Sequence, residues 1–105
     1  MQNDKSKFKN EFKRRIYKFA LEIIRFIDEL PRDKTRDILC NQLLRSATSI
    51  GANVIEAGSA SSKKDYINFF TYALKSANET KFCLGLLRDS AKANKDIPNK
   101  HLKET

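Results

Sequence analysis

The side chains able to do covalent or metal chemistry are few and far apart. Cys40 and Cys83 are the two cysteines and His101 is the one histidine. No CxxC joins the thiols, and each falls inside a helical pattern among apolar neighbours, where a free cysteine behaves as a small hydrophobe. Both are expected reduced and partly buried. A lone histidine near the end of the chain cannot form a His-His metal motif and is expected exposed. The densest polar constellation is Gln42, Arg45, Ser49, Asn53 and Glu56, which fall on one side of a helix at helical spacing. Read as a functional pocket, it lacks a nucleophile with an adjacent base and a pair of acids poised for proton transfer. These are positioning residues: Arg45 and Glu56 are expected to pair with groups on adjacent helices or subunits, and Ser49 and Asn53 to complete an interhelical hydrogen-bond network. No catalytic residue, metal site or cofactor is expected.

The second chemistry available is electrostatic. The chain carries a formal charge of +8 over 105 residues, and that charge is concentrated near the N-terminus. Lys5, Lys7, Lys9, Lys13, Arg14, Arg15 and Lys18 face only Glu11 in the same stretch, a local charge of +6. Cations in the first turns of a helix oppose its dipole by up to about 1 kcal/mol each, so local stability does not account for them. On a helical wheel Lys7, Arg14, Lys18 and Arg25 form a row opposite the apolar face, a spacing suited to a run of phosphates. The candidate nucleic-acid contacts are Lys7, Lys13, Arg14, Arg15, Lys18 and Arg25. The plainer reading is a solvated face laced with pairs such as Glu22 with Arg25 and Glu11 with Arg15. No zinc finger, helix-turn-helix or RNA-recognition aromatic motif is present, so sequence-specific reading is not expected.

The elements that must position these groups are helices. Apolar residues make up 40% of the chain, and three glycines and two prolines are the only strong breakers, a composition of helical rather than disordered or all-β proteins. One domain, residues 1–105, accounts for the length. A first helix is expected over 7–30, with Phe8, Phe12, Ile16, Phe19, Ala20, Ile23, Phe26, Ile27 and Leu30 on about a third of the wheel, stopped by Pro31. A second spans 33–57. Between Asp37 and Ser62 its only charges are Asp37, Arg45 and Glu56, which suits a central helix enclosed by neighbours. Gly58 ends it, as the residue that best tolerates a left-handed C-cap. Ser62 with Asp65 reads as a capping box opening a third helix over 62–91, whose seam includes Ala73, Thr80 and Leu87. Gly85 is an interior exception, costing about 1 kcal/mol against alanine unless a neighbouring backbone packs on it. Asp96, Ile97 and Pro98 resemble the start of a fourth helix, near 97–105. Tyr17, Leu21, Ile24, Tyr72 and Phe82 lie off the main seams and are expected at subunit contacts.

The run from Arg45 to Gly58, RSATSIGANVIEAG, resembles the signature of the four helix bundle family of 23S ribosomal RNA intervening-sequence proteins, in which Arg-Ser, Ser-Ile, Asn and Glu-x-Gly recur at these offsets. Tyr66, Phe69, Ala73, Ser76 and Glu79 are similar to its third-helix pattern, so the resemblance covers about half the chain. Onto this sequence it carries a polar stripe of Arg45, Ser49, Asn53, Glu56, Gly58 and Glu79. It implies an antiparallel bundle that self-assembles, with pentameric rings among related proteins. It also implies kinship with accessory proteins of diversity-generating retroelements, which bind nucleic acid and a reverse transcriptase. It supplies no reaction.

The expectation is therefore an all-α, antiparallel up-down four-helix bundle with the fourth helix largely absent or truncated, leaving an apolar groove where that helix would lie. The N-terminus is polar and lysine-rich and no apolar run approaches bilayer length, so a cytoplasmic, non-membrane protein is expected. The function expected is that of a basic, self-associating, non-enzymatic protein that binds RNA or DNA through phosphates and recruits a protein partner such as a reverse transcriptase. The alternative is a structural oligomerisation or protein-interaction module with no nucleic-acid ligand. A membrane-surface role for the basic first helix ranks third and an enzyme last.

Overall fold

The computed structural model describes the backbone of residues 4–104 and the side chains of residue 7 and of residues 9–90. Three helices make up the chain: α1 (Asp4–Glu29), α2 (Lys34–Ala57) and α3 (Lys63–Glu104). Each boundary has a local cause. Asp33 caps α2 in extended conformation, accepting from the Arg36 amide at 2.8 Å and from the Arg36 guanidinium at 2.8 Å. Ser62 caps α3 through the Asp65 amide at 3.1 Å. The expected capping box is half made, because the Asp65 carboxylate accepts from the Ser61 hydroxyl at 2.9 Å.

Gly58 departs from the left-handed C-cap. Its φ and ψ are −63° and −22°, right-handed helical values. The chain leaves α2 instead by a tightened turn in which Gly58, Ser59 and Ala60 donate to the carbonyls of Ile55, Glu56 and Ala57 at 3.0–3.2 Å. A side-chain carbon on Gly58 would approach the Ile55 carbonyl oxygen to 3.2 Å and the Lys13 ammonium to 3.6 Å. Crowding, not a positive φ, is what makes glycine suitable here.

The separate fourth helix is also corrected, since α3 runs unbroken through residues 97–104. No glycine follows Gly85 to cap a C-terminus, and Ala91, Lys92, Ala93 and Lys95 are strong helix formers. Pro98 removes one amide donor but supplies no turn. The side chains of Lys5, Phe8, Asp96, Ile97, Pro98 and His101 lie outside the described residues.

Both α1 and α3 pack on α2, and among the described residues no Cα of α1 comes within 8 Å of one of α3. The core joins Ile23 of α1, Cys40, Leu43 and Ala47 of α2, and Cys83 and Leu87 of α3. These come from the end of α1, the start of α2 and the later part of α3, which makes the topology up-down-up. At the other end Val54 and Ala57 are buried. Gly51 lets α1 approach, because a Cβ there would sit 3.2 Å from Ile16 Cγ2.

The resulting body is elongated, 66 × 26 × 20 Å with a radius of gyration of 18.2 Å, against about 13 Å for a compact domain of this length. At 1.5 Å per residue α3 alone spans about 63 Å. The accessible surface is 8546 Å², whereas a compact monomer of this mass exposes about 6,000 Å². The wholly buried Leu43 should be the costliest single truncation: Leu43→Ala is expected to lower stability by about 2–5 kcal/mol, measured by urea unfolding followed by circular dichroism.

Candidate nucleic-acid interface and the polar groove

Three sides of α1 differ in chemistry. Ile16, Ala20, Ile23 and Ile27 face α2 and are wholly or partly buried. Opposite them, Lys7, Arg14, Lys18 and Arg25 are all exposed. Over those 18 residues the row extends about 27 Å along the helix. Among the described residues no ion pair joins an α1 cation to an acid: the three pairs are Arg32–Asp37 at 3.4 Å, Arg36–Asp33 at 2.8 Å and Arg88–Asp89 at 2.9 Å. The lacing of Glu11 with Arg15 and of Glu22 with Arg25 is not formed. Lys13 stands apart from the row, its ammonium lying against Gly58 at the C-terminus of α2, where a cation offsets the negative end of that helix. Arg15 is exposed beside the row.

The family-type stripe divides. Arg45, Ser49 and Glu79 line one groove between α2 and α3, of about 500 Å³, together with Gln42, Ser46 and Ser76. Its floor is a ladder of hydroxyls. Thr80 Oγ1 lies 2.8 Å from both Ser46 Oγ and the Ser76 carbonyl, and Ser76 Oγ lies 3.0 Å from Ser49 Oγ. The Asn53 amide donates to the Ser49 carbonyl at 2.9 Å and reaches Ser49 Oγ at 3.1 Å. Ser49 and Asn53 thus form the expected network. Glu56 and Gly58 sit at the end of α2, exposed and outside this groove. Arg45 and Glu56 make no ion pair within the chain among the described residues; both point to the open side of α2.

That open side corrects the picture of α2 as enclosed. Ile38, Leu44 and Ile55 are exposed there, Ile55 at 61%. Beside them a second groove of about 430 Å³ between α1 and α2 is lined by Tyr17, Leu21, Ile24, Ala52 and Ile55. A third lies between α1 and α3, floored by Ile50 and walled by Phe19 and Phe26 on one side and by Ala77, Leu84 and Gly85 on the other, with a volume of about 630 Å³. It continues toward the other end past Phe12, Tyr66 and Phe70. This is the expected apolar groove.

Burial raises both thiols, with Asp37 adding to the effect at Cys40 and Glu79 at Cys83, so both stay protonated and weakly nucleophilic near neutrality. Among the described residues no cluster of three or more histidine, cysteine or carboxylate side chains could hold a metal, and no helix is long and apolar enough to cross a membrane.

A family model described as 23S rRNA-intervening sequence protein matches residues 9–105. The chain belongs to that family. Among solved structures, a crystal structure from Bacteroides thetaiotaomicron VPI-5482, described as a protein with unknown function from the S23 ribosomal protein family, is similar with 40% identity and a TM-score of 0.71. The match covers 78% of this chain and 73% of that one. No curated protein matches. That neighbour therefore shares this helical architecture, and residues 45–58 fall inside the span the family model matches.

The buried hydroxyls Ser46 and Thr80 were not singled out by the chemistry of the sequence. Their signal is there, as small polar residues at positions that periodicity assigns to apolar seams. Thr80→Val and Ser46→Ala are each expected to cost about 1–2 kcal/mol. The double variant should cost less than their sum, a coupling of about 0.5 kcal/mol or more in a double-mutant cycle by urea unfolding.

Proposed function

We propose that this chain is a non-enzymatic, basic, self-associating scaffold that binds RNA or DNA through phosphate contacts. The observation that carries the reading is the row Lys7, Arg14, Lys18 and Arg25, exposed on the outward face of α1 and without ion pairs among the described residues. Cations that neutralise no neighbour among the described residues remain available to displace the counterions of a polyanion, which is the main source of sequence-independent affinity. A straight row about 27 Å long suits a regular backbone better than a single anion. The family description, which names 23S rRNA-intervening sequences, favours RNA among polyanions.

Self-association is supported by a different fact. The open side of α2 bears only small, neutral or apolar side chains around Arg45 and Glu56, with Ile38 and Ile55 more than half exposed. Arg45 and Glu56, without an ion pair among the described residues, suit contacts to a second copy across that side, and a ring of copies would repeat the cationic row and multiply its field. The same exposed apolar side favours the second reading, a structural interaction module without a nucleic-acid ligand.

A salt titration with fluorescent structured RNA, single-stranded RNA and duplex DNA separates the two, with mass followed by light scattering in the same buffers. Binding should weaken steeply between 50 and 200 mM salt, as expected where several phosphates are contacted. The triple variant Arg14→Gln, Lys18→Gln, Arg25→Gln should reduce the slope of log K against log salt by about 2–3, while Lys13→Gln should change it less. Assembly without binding, or binding indifferent to the triple variant, would sink the nucleic-acid reading and leave the structural module.

A further inference from the structure

Tyr17 is 69% exposed, more than any other large hydrophobic side chain among the described residues. It stands within the cationic stretch of α1, with Lys13 and Arg14 one helical turn before it and Lys18 directly after it. Residues three and four apart are neighbours on a helix surface, so the ring shares its patch with two cations. At 100° per residue Tyr17 is turned about 60° from Arg14, toward the open side of α2 and away from the trough between α1 and α3.

On that side Tyr17 lines the groove between α1 and α2, with Leu21 and Ile24 following it on one wall and Ala52 and Ile55 on the other. From Tyr17 to Ile24 the groove runs about 10 Å, and its volume of about 430 Å³ is that of a small-ligand cleft. Both walls belong to helices whose side chains are described along its whole length, and it lies on the opposite flank of α1 from Phe19 and Phe26, so whatever fills the trough leaves it open. The lining is nearly all apolar. Thr48 lines it too, but its hydroxyl is committed to the Leu44 and Arg45 carbonyls at 2.8 and 3.1 Å. Lys13 supplies the charge, and no carboxylate faces the groove. An apolar slot with one exposed ring and no fixed donor–acceptor pattern suits flat aromatic groups without regard to their identity.

The surrounding charges select the occupant. Arg14 and Lys18 stand beside the ring without ion pairs among the described residues, and a second copy of a chain carrying +8 is disfavoured there. An unpaired stretch of nucleic acid meets both halves of the surface at once, with phosphates on the cations and bases turned onto the ring. Bases inside a duplex are stacked on one another and offer no free face. Stacking on aromatic side chains is how proteins commonly hold unpaired bases, and it tolerates any sequence because every base has a π-face.

We propose that Tyr17 is a base-stacking platform, and the groove between α1 and α2 the slot for unpaired bases of a strand whose phosphates lie on Lys7, Arg14, Lys18 and Arg25. The stacking role rests on the nucleic-acid reading and narrows its ligand to single-stranded segments and loops.

The test uses the full chain and three fluorescent RNAs of equal length: a single strand without self-complementarity, an abasic sugar-phosphate strand, and a blunt duplex. The natural strand should bind about tenfold more tightly than the abasic one at the same salt. Tyr17→Ala should remove that factor, leave the abasic strand and the duplex unchanged, and keep the salt slope, since no phosphate contact is lost. Tyr17→Phe should retain the factor, because the stacking face remains. Both variants should unfold at the parent's urea concentration, the side chain being exposed. Natural and abasic strands bound alike, or Tyr17→Ala weakening all three RNAs by one factor, would overturn the stacking role while leaving the salt-dependent nucleic-acid reading in place. Affinity lost in step with a fall in the protein's mass by light scattering would overturn it too, because the ring would then belong to a contact between copies. No salt-dependent binding of any of the three would sink both.

Discussion

The hydroxyl ladder between α2 and α3 is the constraint from which the rest of the architecture follows. Ser46 to Thr80 at 2.8 Å and Ser49 to Ser76 at 3.0 Å pair a residue three further along α2 with one four earlier along α3, which admits one antiparallel register. The side chains are small, so the two backbones lie close and most of the helix–helix contact of the fold is between them. Once α3 is seated there, α2 has one flank left for α1. That flank is organised around Gly51, where α1 comes near enough for Ile16 to meet a would-be Cβ at 3.2 Å. Two close approaches on two sides of α2 spread α1 and α3 apart, and the trough between them is the geometric remainder. Buried hydroxyls are individually worth little when satisfied and cost much when orphaned, so the ladder penalises any other register more than it rewards this one.

The division of α1 into four faces follows from the same arrangement. A helix resting on a single neighbour buries about one stripe, here Ile16, Ile23 and Ile27, and presents the remainder outward. On one flank that remainder is tyrosine, leucine and isoleucine; on the other it is the phenylalanine row; between them run the cations. An amphipathic helix with one partner would need only a narrow stripe and a polar remainder. The apolar flanks exceed what packing on α2 alone requires.

Helix type and approximate extent were legible from periodicity, because Pro31, Asp33, Gly58 and Ser62 punctuate the chain where the backbone turns. Two local readings failed for the same reason: each inferred a conformation from a residue's permissiveness. Gly58 can adopt a left-handed cap but is used for the room it leaves to Ile55 and Lys13, and Pro98 can open a helix but lies within one. The exposure of α2 was illegible for another reason. Few charges mean enclosure in a complete assembly, yet the same pattern is written by a face that meets a second molecule, and a single sequence does not distinguish them. The polar stripe was legible as a stripe, while its split into Arg45, Ser49 and Glu79 in one groove and Glu56 at the helix end depends on how α3 crosses α2. The ladder itself was hidden, since Ser46, Ser76 and Thr80 occupy positions that hydropathy assigns to the core.

Charge placement argues for function more strongly than any single residue does. In a monomer that needed only solubility, cations and carboxylates could be scattered, and a helix would gain by placing acids in its first turn and bases in its last. Here α1, Asp4 apart, does the reverse, with Lys5, Lys7 and Lys9 in its first turns and Asp28 and Glu29 at its end, an arrangement that spends dipole stability and leaves Lys7, Arg14, Lys18 and Arg25 without ion pairs among the described residues. Meanwhile the residues bordering the phenylalanine trough are also cationic. Two cationic surfaces on different flanks of one helix cannot both meet copies of the same basic chain without repulsion.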